Sequence, residues 1–446
     1  MIMKLDIVLL TLMSLAYLVA YLDRNNIGNA RLMNFEKDLK LSSQQFYNAT
    51  MVYYAGYLTV VFPANLLLRK VGPKYLLGSA VILFGLFVCC ICSARGYADL
   101  VGLRYGIGCA EAMLQTTPLY MVAWYGRNEL GKRVGIFYSV ATLSGVFSSF
   151  IAYGIQKDLT IPGKRPAWQW LFLVEGVLAL AVGLIMILLL PSFPDRVKSS
   201  WLFSKQEIDW AIKRNAGFQV KLSLLDPNTY LMGFVNIASA TMLASIGVFM
   251  PTIVKSFGFS PVRAQLFTAI PYACGFVSMI GIGILSDRYQ NKGFFILGSF
   301  TSCVLGLVIL LSTTTMQAGM AGVCFLVLGA YPAVILVIAW IQISFCGSTK
   351  RAVSWGVAMV FGQGFSLLGT QIYTTPPRFV KGHATLLGLV VWAMLSTVAS
   401  MWIMAARNRG KERALRECAE RGEQHPDSGK SLEETCDSHV NFRYTL

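Results

Sequence analysis

Arg104 and Glu111 stand seven residues apart inside an otherwise apolar run, Asp99 to Trp124. If that run crosses a bilayer, both charges lie at membrane depth. A charge there costs about 2.5–3.5 kcal/mol on insertion scales and is kept where it meets a partner or a water-filled cavity. Seven steps of about 100° bring Glu111 back to within roughly 20° of Arg104, about 10 Å further along the axis. Gly108 and Gln115 share the stripe, so one face is cationic, bare, acidic and amide-bearing in turn. That face reads as the wall of a polar cavity. A guanidinium stays protonated and holds a carboxylate through two parallel hydrogen bonds, which makes Arg104 the candidate seat for a substrate anion. Its competing role is a permanent ion pair that ties helices together. Burial disfavours the anionic form of a carboxyl while a neighbouring arginine favours it. A group held between those influences suits loading and releasing a proton, and Glu111 is that candidate; a structural carboxylate fixed by Arg104 is the rival.

Asp23 and Arg24 close the first apolar run. Neighbours on a helix point about 100° apart, so one can face a cavity while the other pairs with an adjacent helix. Asn26 lies on the side of Asp23 and could orient it or a substrate. The second half of the chain has no mid-run charge comparable to Arg104 or Glu111. It offers neutral groups instead: Asn236, Ser239, Tyr272, Gln342, Gln363, Ser366 and Thr370. The expected division is therefore anion and proton in the first half and selectivity by hydrogen bonds in the second. Substrate contacts are expected from Arg104, Arg24, Asn26, Gln115, Asn236, Tyr272, Gln342 and Gln363, and proton coupling from Glu111 and Asp23. Neutral polar side chains also serve simply to bridge helices. Glu175 is expected to be structural, paired within the outer part of its run.

The elements that must position these groups follow from bulk composition. The chain has 446 residues, 55% hydrophobic and only 13% charged, where a soluble domain is about 25% charged. Apolar runs of membrane-crossing length recur at about 7–28, 44–68, 74–93, 98–124, 132–156 and 167–190. Six more follow at about 229–257, 262–286, 293–312, 318–346, 350–374 and 384–406. Their continuous apolarity excludes a β-barrel, whose strands alternate by two. The expected organisation is a first bundle over 1–190, a central loop over 191–228, a second bundle over 229–406 and a tail over 407–446. Ser204 to Glu207 matches a capping box inside the loop, and the tail reads as disordered beyond about Cys418.

A net charge of +16 could suggest nucleic acid. The basic residues instead crowd the ends of runs, the central loop and the tail, which is how Lys and Arg accumulate on the cytoplasmic side of a membrane protein. Both termini are therefore expected in the cytoplasm. The first run is too long for a signal-peptide core and lacks a cleavage site, so it reads as the first span. The cysteines lie mostly in apolar runs without metal-ligand spacing, and His383, His425 and His439 fall in loops or tail, so neither a zinc site nor a cofactor is expected. No nucleophile–base pair or nucleotide loop points to an enzyme.

Two halves of six runs also share an echo. Asn65 to Lys74, after the second run, and Gly283 to Lys292, after the eighth, occupy equivalent places. The latter resembles the G-x-L-a-D-R-x-G-R-K loop of the major facilitator superfamily. Further segments resemble its anion:cation symporter branch, in particular the fungal allantoate and nicotinate permease-like group. These are Tyr21 to Ala30, Pro63 to Arg69, Arg104 to Ala112, Trp168 to Gly176, Gln265 to Tyr272 and Thr349 to Ala352. The resemblance implies an all-α protein of twelve transmembrane helices in two pseudo-symmetric six-helix bundles around a midplane cavity. It implies proton-coupled symport of a small organic anion by rocking of the halves, with Asp287 and Arg288 holding a gate state and the residue at Arg104 contributing to the substrate site. A monomer in the plasma membrane is expected, the vacuolar membrane being the alternative. Three departures stand out: a short segment before the first run, Arg69 where the general loop has Asp, and Ser344 where the branch often has Asn. The rival readings are an exporter or uncoupled facilitator of the same solutes, and a nutrient sensor on the same fold.

Overall fold

The computed structural model describes residues 2–125, 127–159, 165–194, 223, 225–313, 315–345, 348–376, 378–421 and 439–445. All regular structure among them is helical. In chain order the long helices are α1 (Met3–Leu32), α2 (Ser43–Val71), α3 (Pro73–Ile91), α4 (Tyr97–Leu114), α5 (Thr117–Trp124), α6 (Arg127–Asp158) and α7 (Ala167–Leu189). After the central interval come α8 (Pro227–Ser256), α9 (Pro261–Tyr289), α10 (Lys292–Ser312), α11 (Met316–Ser344), α12 (Ser348–Gly369) and α13 (Val380–Glu420). Nine helices among the described residues are long and apolar enough to cross a membrane. The expected run of 98–124 is the site of Arg104 and Glu111, and α4, with α2 and α12, is not among the nine.

Local chemistry sets the helix ends. Ser42 caps α2 with a complete capping box: its hydroxyl accepts from the Gln45 amide at 3.2 Å, and the Gln45 side chain accepts from the Ser42 amide at 2.9 Å. Asp226 and Ser260 cap α8 and α9, each followed by a proline at the first helical position, where a missing N–H costs nothing. The run expected as one helix over 98–124 is broken at Gln115 and Thr116. Pro118 has no N–H to give the Leu114 carbonyl four residues earlier. The Thr117 hydroxyl donates to that carbonyl instead at 2.6 Å, and the Thr116 hydroxyl donates to the Met113 carbonyl at 2.8 Å.

Packing is dense within the first six helical regions, where α2 lies on α4, α3 on α7, and α1 on α6 and α7. The later helices repeat the pattern, with α8 against α12 and α13 and α10 against α11 and α13. The two sets meet along α1–α8, α2–α12 and α6–α9. Inside the first set Gly108 of α4 sits so close to α2 that a Cβ there would fall 2.0 Å from the Tyr53 carbonyl oxygen. Between the sets Gly28 of α1 has the same role against α8, with the Val248 carbonyl oxygen 2.4 Å from the place of a Cβ.

The ends of the sets differ. On the side away from the termini, Gln371 just after α12 bonds Gln44 and Asn48 at the start of α2 (3.1 and 3.3 Å), and Tyr47, Phe249 and Tyr373 form a contiguous run of rings. On the side of the termini a crevice of about 430 Å³ opens between α6, α9 and α11.

The terminal segment departs from expectation. Helix α13 runs through Glu420, and residues 439–445 fold back onto the protein instead of standing free. Phe442 and Tyr444 are buried, Asn408 exchanges two hydrogen bonds with the Tyr444 backbone (2.9 and 3.0 Å), and the Trp340 indole donates to the Thr445 carbonyl at 2.8 Å. The capping box at Ser204 to Glu207 and the expected disorder over 422–438 lie outside the described residues.

Candidate functional site

The central cavity measures about 60 Å³, room for a few waters, and lies between the two sets of helices. The first set contributes Arg24, Asn25, Arg104 and Gln115 together with Tyr17, Tyr21, Tyr53, Tyr54 and Tyr138. The second set contributes Asn236, Tyr331, Gln363 and Ser366 to a wall otherwise made of small and aliphatic side chains. Ionic chemistry is thus confined to one wall.

That chemistry is two crossed ion pairs between the same two helices. Arg24 of α1 bonds the Glu111 carboxylate of α4 through its Nη2. Arg104 of α4 bonds the Asp23 carboxylate of α1, Nη1 to Oδ2, at 2.9 Å. Helical geometry explains the crossing: Asp23 and Arg24 point about 100° apart on α1, while Arg104 and Glu111 stand about two turns apart on one stripe of α4. The pairing of Arg104 with Glu111 along one helix, the rival reading of the sequence, is therefore not what forms; each takes its partner from α1.

Burial grades the four. The side chain of Asp23 is sealed, Glu111 and Arg104 are 3% and 4% exposed, and Arg24 is 15% exposed. Charges this deep persist because each has an opposite partner; removing one partner of a buried pair typically costs about 3–5 kcal/mol. Glu111 has a second anchor, since the Tyr53 hydroxyl donates to its Oε2 at 2.5 Å. The Arg24 guanidinium also lies 4.6, 5.3 and 5.8 Å from the ring centres of Tyr21, Tyr53 and Tyr57, within cation–π reach. Its Nε has no hydrogen-bond partner among the described residues.

The other expected site residues divide. Gln115, Asn236 and Gln363 line the cavity. Gln115 reaches across to Met359 of α12 at 3.2 Å, and the Asn236 amide is spent on the Ala358 carbonyl at 2.7 Å. Asn26, Tyr272 and Gln342 do not line it. The Asn26 carbonyl oxygen accepts from Ser148 of α6 at 2.6 Å, which makes it a tie between helices instead of an aid to Asp23. Tyr272 donates to Asn25 at 3.2 Å, a bond between the two sets. Gln342 is buried towards the terminal end of α11, its Oε1 without a hydrogen-bond partner among the described residues. Asp287 bonds Lys292 across its own turn and borders the terminal-side crevice, while Arg288 is exposed. Glu175 lacks the expected pairing: neither of its carboxyl oxygens has a hydrogen-bond partner among the described residues.

Two participants escaped the sequence reading. Tyr53 has a visible signal, since Tyr47, Tyr53, Tyr54 and Tyr57 crowd one apolar run. Asn25 does not: beside Asn26, only the rotation of α1 decides which amide meets the cavity. Among the described residues no cluster of potential metal ligands exists.

Helices of this kind around a central cleft define a membrane transporter, and the chain belongs to the Major Facilitator Superfamily, whose family model matches residues 13–370. It is similar to the high-affinity nicotinic acid transporter of Saccharomyces cerevisiae, 28% identical with 99% of this chain and 84% of the relative covered. It is also 30% identical to an uncharacterized transporter of Schizosaccharomyces pombe, covering 99% of this chain and 92% of the relative. The fold matches the crystal structure of a D-xylose–proton symporter with a TM-score of 0.69 at 14% identity, over 88% of this chain and 96% of that one. It is an integral, multi-pass membrane transporter and not an enzyme.

Proposed function

We propose that the chain is a proton-coupled symporter of a small organic carboxylate, working by alternating access between two six-helix halves. The observation that carries this reading is the Arg24–Glu111 pair, the more exposed of the two, in which Arg24 lines the cavity and Glu111 stands behind it. A proton added to the Glu111 carboxylate removes its charge and loosens its hold on Arg24. The freed guanidinium can then take a substrate carboxylate through two parallel hydrogen bonds. Release of the substrate returns Arg24 to Glu111 once the proton has left, so neither charge stays buried alone. Arg24 is the anion seat in this scheme, and Arg104 supports it by holding Asp23. The tyrosines around Arg24 favour a compact or flat acid, and Gln363 and Ser366 supply hydrogen bonds from the opposite wall. The similarity to a nicotinic acid transporter supports a carboxylate substrate.

Twelve crossings complete the scheme, with the more polar α2, α4 with α5, and α12 added to the nine long apolar helices. The basic central loop and tail place both termini in the cytoplasm, and the plasma membrane is the proposed location for a monomer. On that orientation the closed face at Gln44, Asn48 and Gln371 is external and the structure is closed to the outside. Asp287 with Lys292, and the exposed Arg288 beside them, stand where the cytoplasmic gate closes.

The test is uptake by purified protein in liposomes, with internal pH read by a trapped dye and with nicotinate, allantoate, a sugar acid and a sulfonate as probes. Accumulation of one probe together with internal acidification supports symport. Uptake indifferent to the pH gradient replaces it with an uncoupled facilitator, and the absence of flux for any probe favours a sensor.

A further inference from the structure

Glu175 of α7 takes no part in the scheme above. It is 3% exposed, and both carboxyl oxygens are buried without a hydrogen-bond partner among the described residues. A buried carboxylate ordinarily collects several donors, because losing water without replacement is costly. Its surroundings contain candidates. Phe172, one turn earlier on α7, has its ring centre 5.7 Å from the Arg104 guanidinium carbon. Glu175 also interacts electrostatically with both Asp23 and Arg104. Arg104 reaches Asp23 through Nη1 alone; its Nε and Nη2 are buried and unpartnered among the described residues. Orphan acceptors on α7 and orphan donors on α4 therefore lie near one another, behind the cavity.

We propose that Glu175 is an alternate seat for the Arg104 guanidinium, taking it over when Asp23 is protonated. In the structure Arg104 holds the Asp23 carboxylate; the proposal assigns a proton to Glu175 in that arrangement. In the exchange the O–H bond of Glu175 breaks, its proton forms an O–H bond on Asp23, and the Glu175 anion accepts hydrogen bonds from Nε and Nη2 of Arg104. One proton moves, the total charge of the three groups is unchanged, and Arg104 never stands unpaired. This supplies what a single pair lacks, two buried arrangements of equal charge between which the first half can switch. Of the other titratable groups around α7, Cys89 of α3 packs beside Gly176, the Cys92 thiol donates to the Gln169 carbonyl, Asp38 accepts from the Trp168 indole, and Lys157 and Asp158 of α6 are exposed at the helix end. Glu175 is thus a positioning residue that acts through Arg104, and the inference rests on the symport reading above.

The experiment compares wild type, Glu175→Gln and Glu175→Asp in the same liposomes, using the probe that wild type accumulates. Glu175→Gln is expected to lower the kcat of pH-driven uptake about tenfold or more and to shift its pH profile, with KM for probe exchange within about twofold of wild type. Glu175→Asp is expected to restore part of the lost rate. Wild-type kcat, KM and pH profile in Glu175→Gln would overturn the proposal. If wild-type uptake proves indifferent to pH, the symport reading has failed by itself. Infrared difference spectra on a pH jump then decide separately, and they serve also if the Gln variant does not fold. A carboxylic acid band that shifts between wild type and Glu175→Asp supports the alternate seat, and a band unmoved by that substitution rules it out.

Discussion

Glu111 and Arg104 share one stripe of α4, yet Glu111 is held by Arg24 and Arg104 by Asp23, the residue next to Arg24 on α1. The two helices are thereby cross-linked twice, by pairs of opposite polarity. Each charge is compensated by its partner on the other helix, so neutralising one charge in this cluster exposes a predictable partner.

Arg104→Gln leaves Asp23 as an uncompensated anion, and Asp23→Asn breaks the bond that holds Arg104, which then finds an anion only if Glu175 gives up a proton. Each single change is expected to destabilise by about 3–5 kcal/mol. The double variant, in which both charges go, is expected to recover most of that loss. Thermal melting of purified protein in detergent checks this; additive losses in the double variant would contradict the pairing.

Arg24→Lys keeps a positive charge but loses the fork that engages a carboxylate in two places. It is expected to reduce kcat/KM for uptake at least about tenfold, or about 1.4 kcal/mol of transition-state stabilisation. Initial rates over a range of probe concentrations measure it.

Gly28 permits the approach of α1 to α8 on the closed face. In Gly28→Val a side chain would enter the space where the Val248 carbonyl oxygen stands 2.4 Å from a Cβ. The expected outcome is a protein that folds, binds the probe and fails to close that face, with turnover reduced about tenfold or more. A cysteine introduced at Gln371 should react faster with an impermeant thiol reagent in this variant than in one carrying Gly28.

Asp226 lies outside the spans, at the start of α8, where Lys350 (2.7 Å) and Arg407 (3.0 Å) both reach it. Burial pushes its carboxyl up, but the hydrogen bonds and charges of Arg407 and Lys350 outweigh burial and hold it below the usual carboxylate range. A carboxyl depressed in the folded state stabilises the fold above its unfolded pKa, about 3.9, and ceases to as pH falls through the lower folded value. Asp226→Asn is therefore expected to lower the melting temperature at pH 7, with the difference from wild type shrinking below pH 4.

The returning segment 439–445 buries Phe442 and Tyr444 against α13 beneath Lys411 and Arg407. Burial of such side chains contributes about 1.5–3 kcal/mol each. Truncation after Glu420 is expected to lower the melting temperature, and Trp340→Phe, which removes the donor to Thr445, to do so by less.

The sequence disclosed those features whose physics is local. A charge in a long apolar run is costly wherever the run lies, so Arg104, Glu111 and the polar end of the first run were visible as candidates before any fold. Pairing was not, because it depends on how α1 and α4 are rotated against each other, and no spacing within one helix reports that. The same rotation separates Asn25, which meets the cavity, from Asn26, which bonds Ser148. Tyr272 and Gln342 read alike as polar residues in apolar helices, and only the meeting of α9 with α1 distinguished a bond to Asn25 from an amide oxygen without a partner among the described residues. The break at Pro118 was readable in principle, since a missing N–H leaves the Leu114 carbonyl to be served by Thr117. The tail misled because its composition is polar, while a few aromatic residues at its end suffice to dock it.

The most direct measurement is the internal pH of liposomes containing wild type or Glu111→Gln, with a probe carboxylate added outside and its radioactivity followed in parallel. The account predicts that wild type accumulates probe and acidifies the interior only when the outside is more acidic. Glu111→Gln should lose accumulation but retain exchange of probe for probe. Equal accumulation by both proteins, or uptake by wild type without internal acidification, would contradict it.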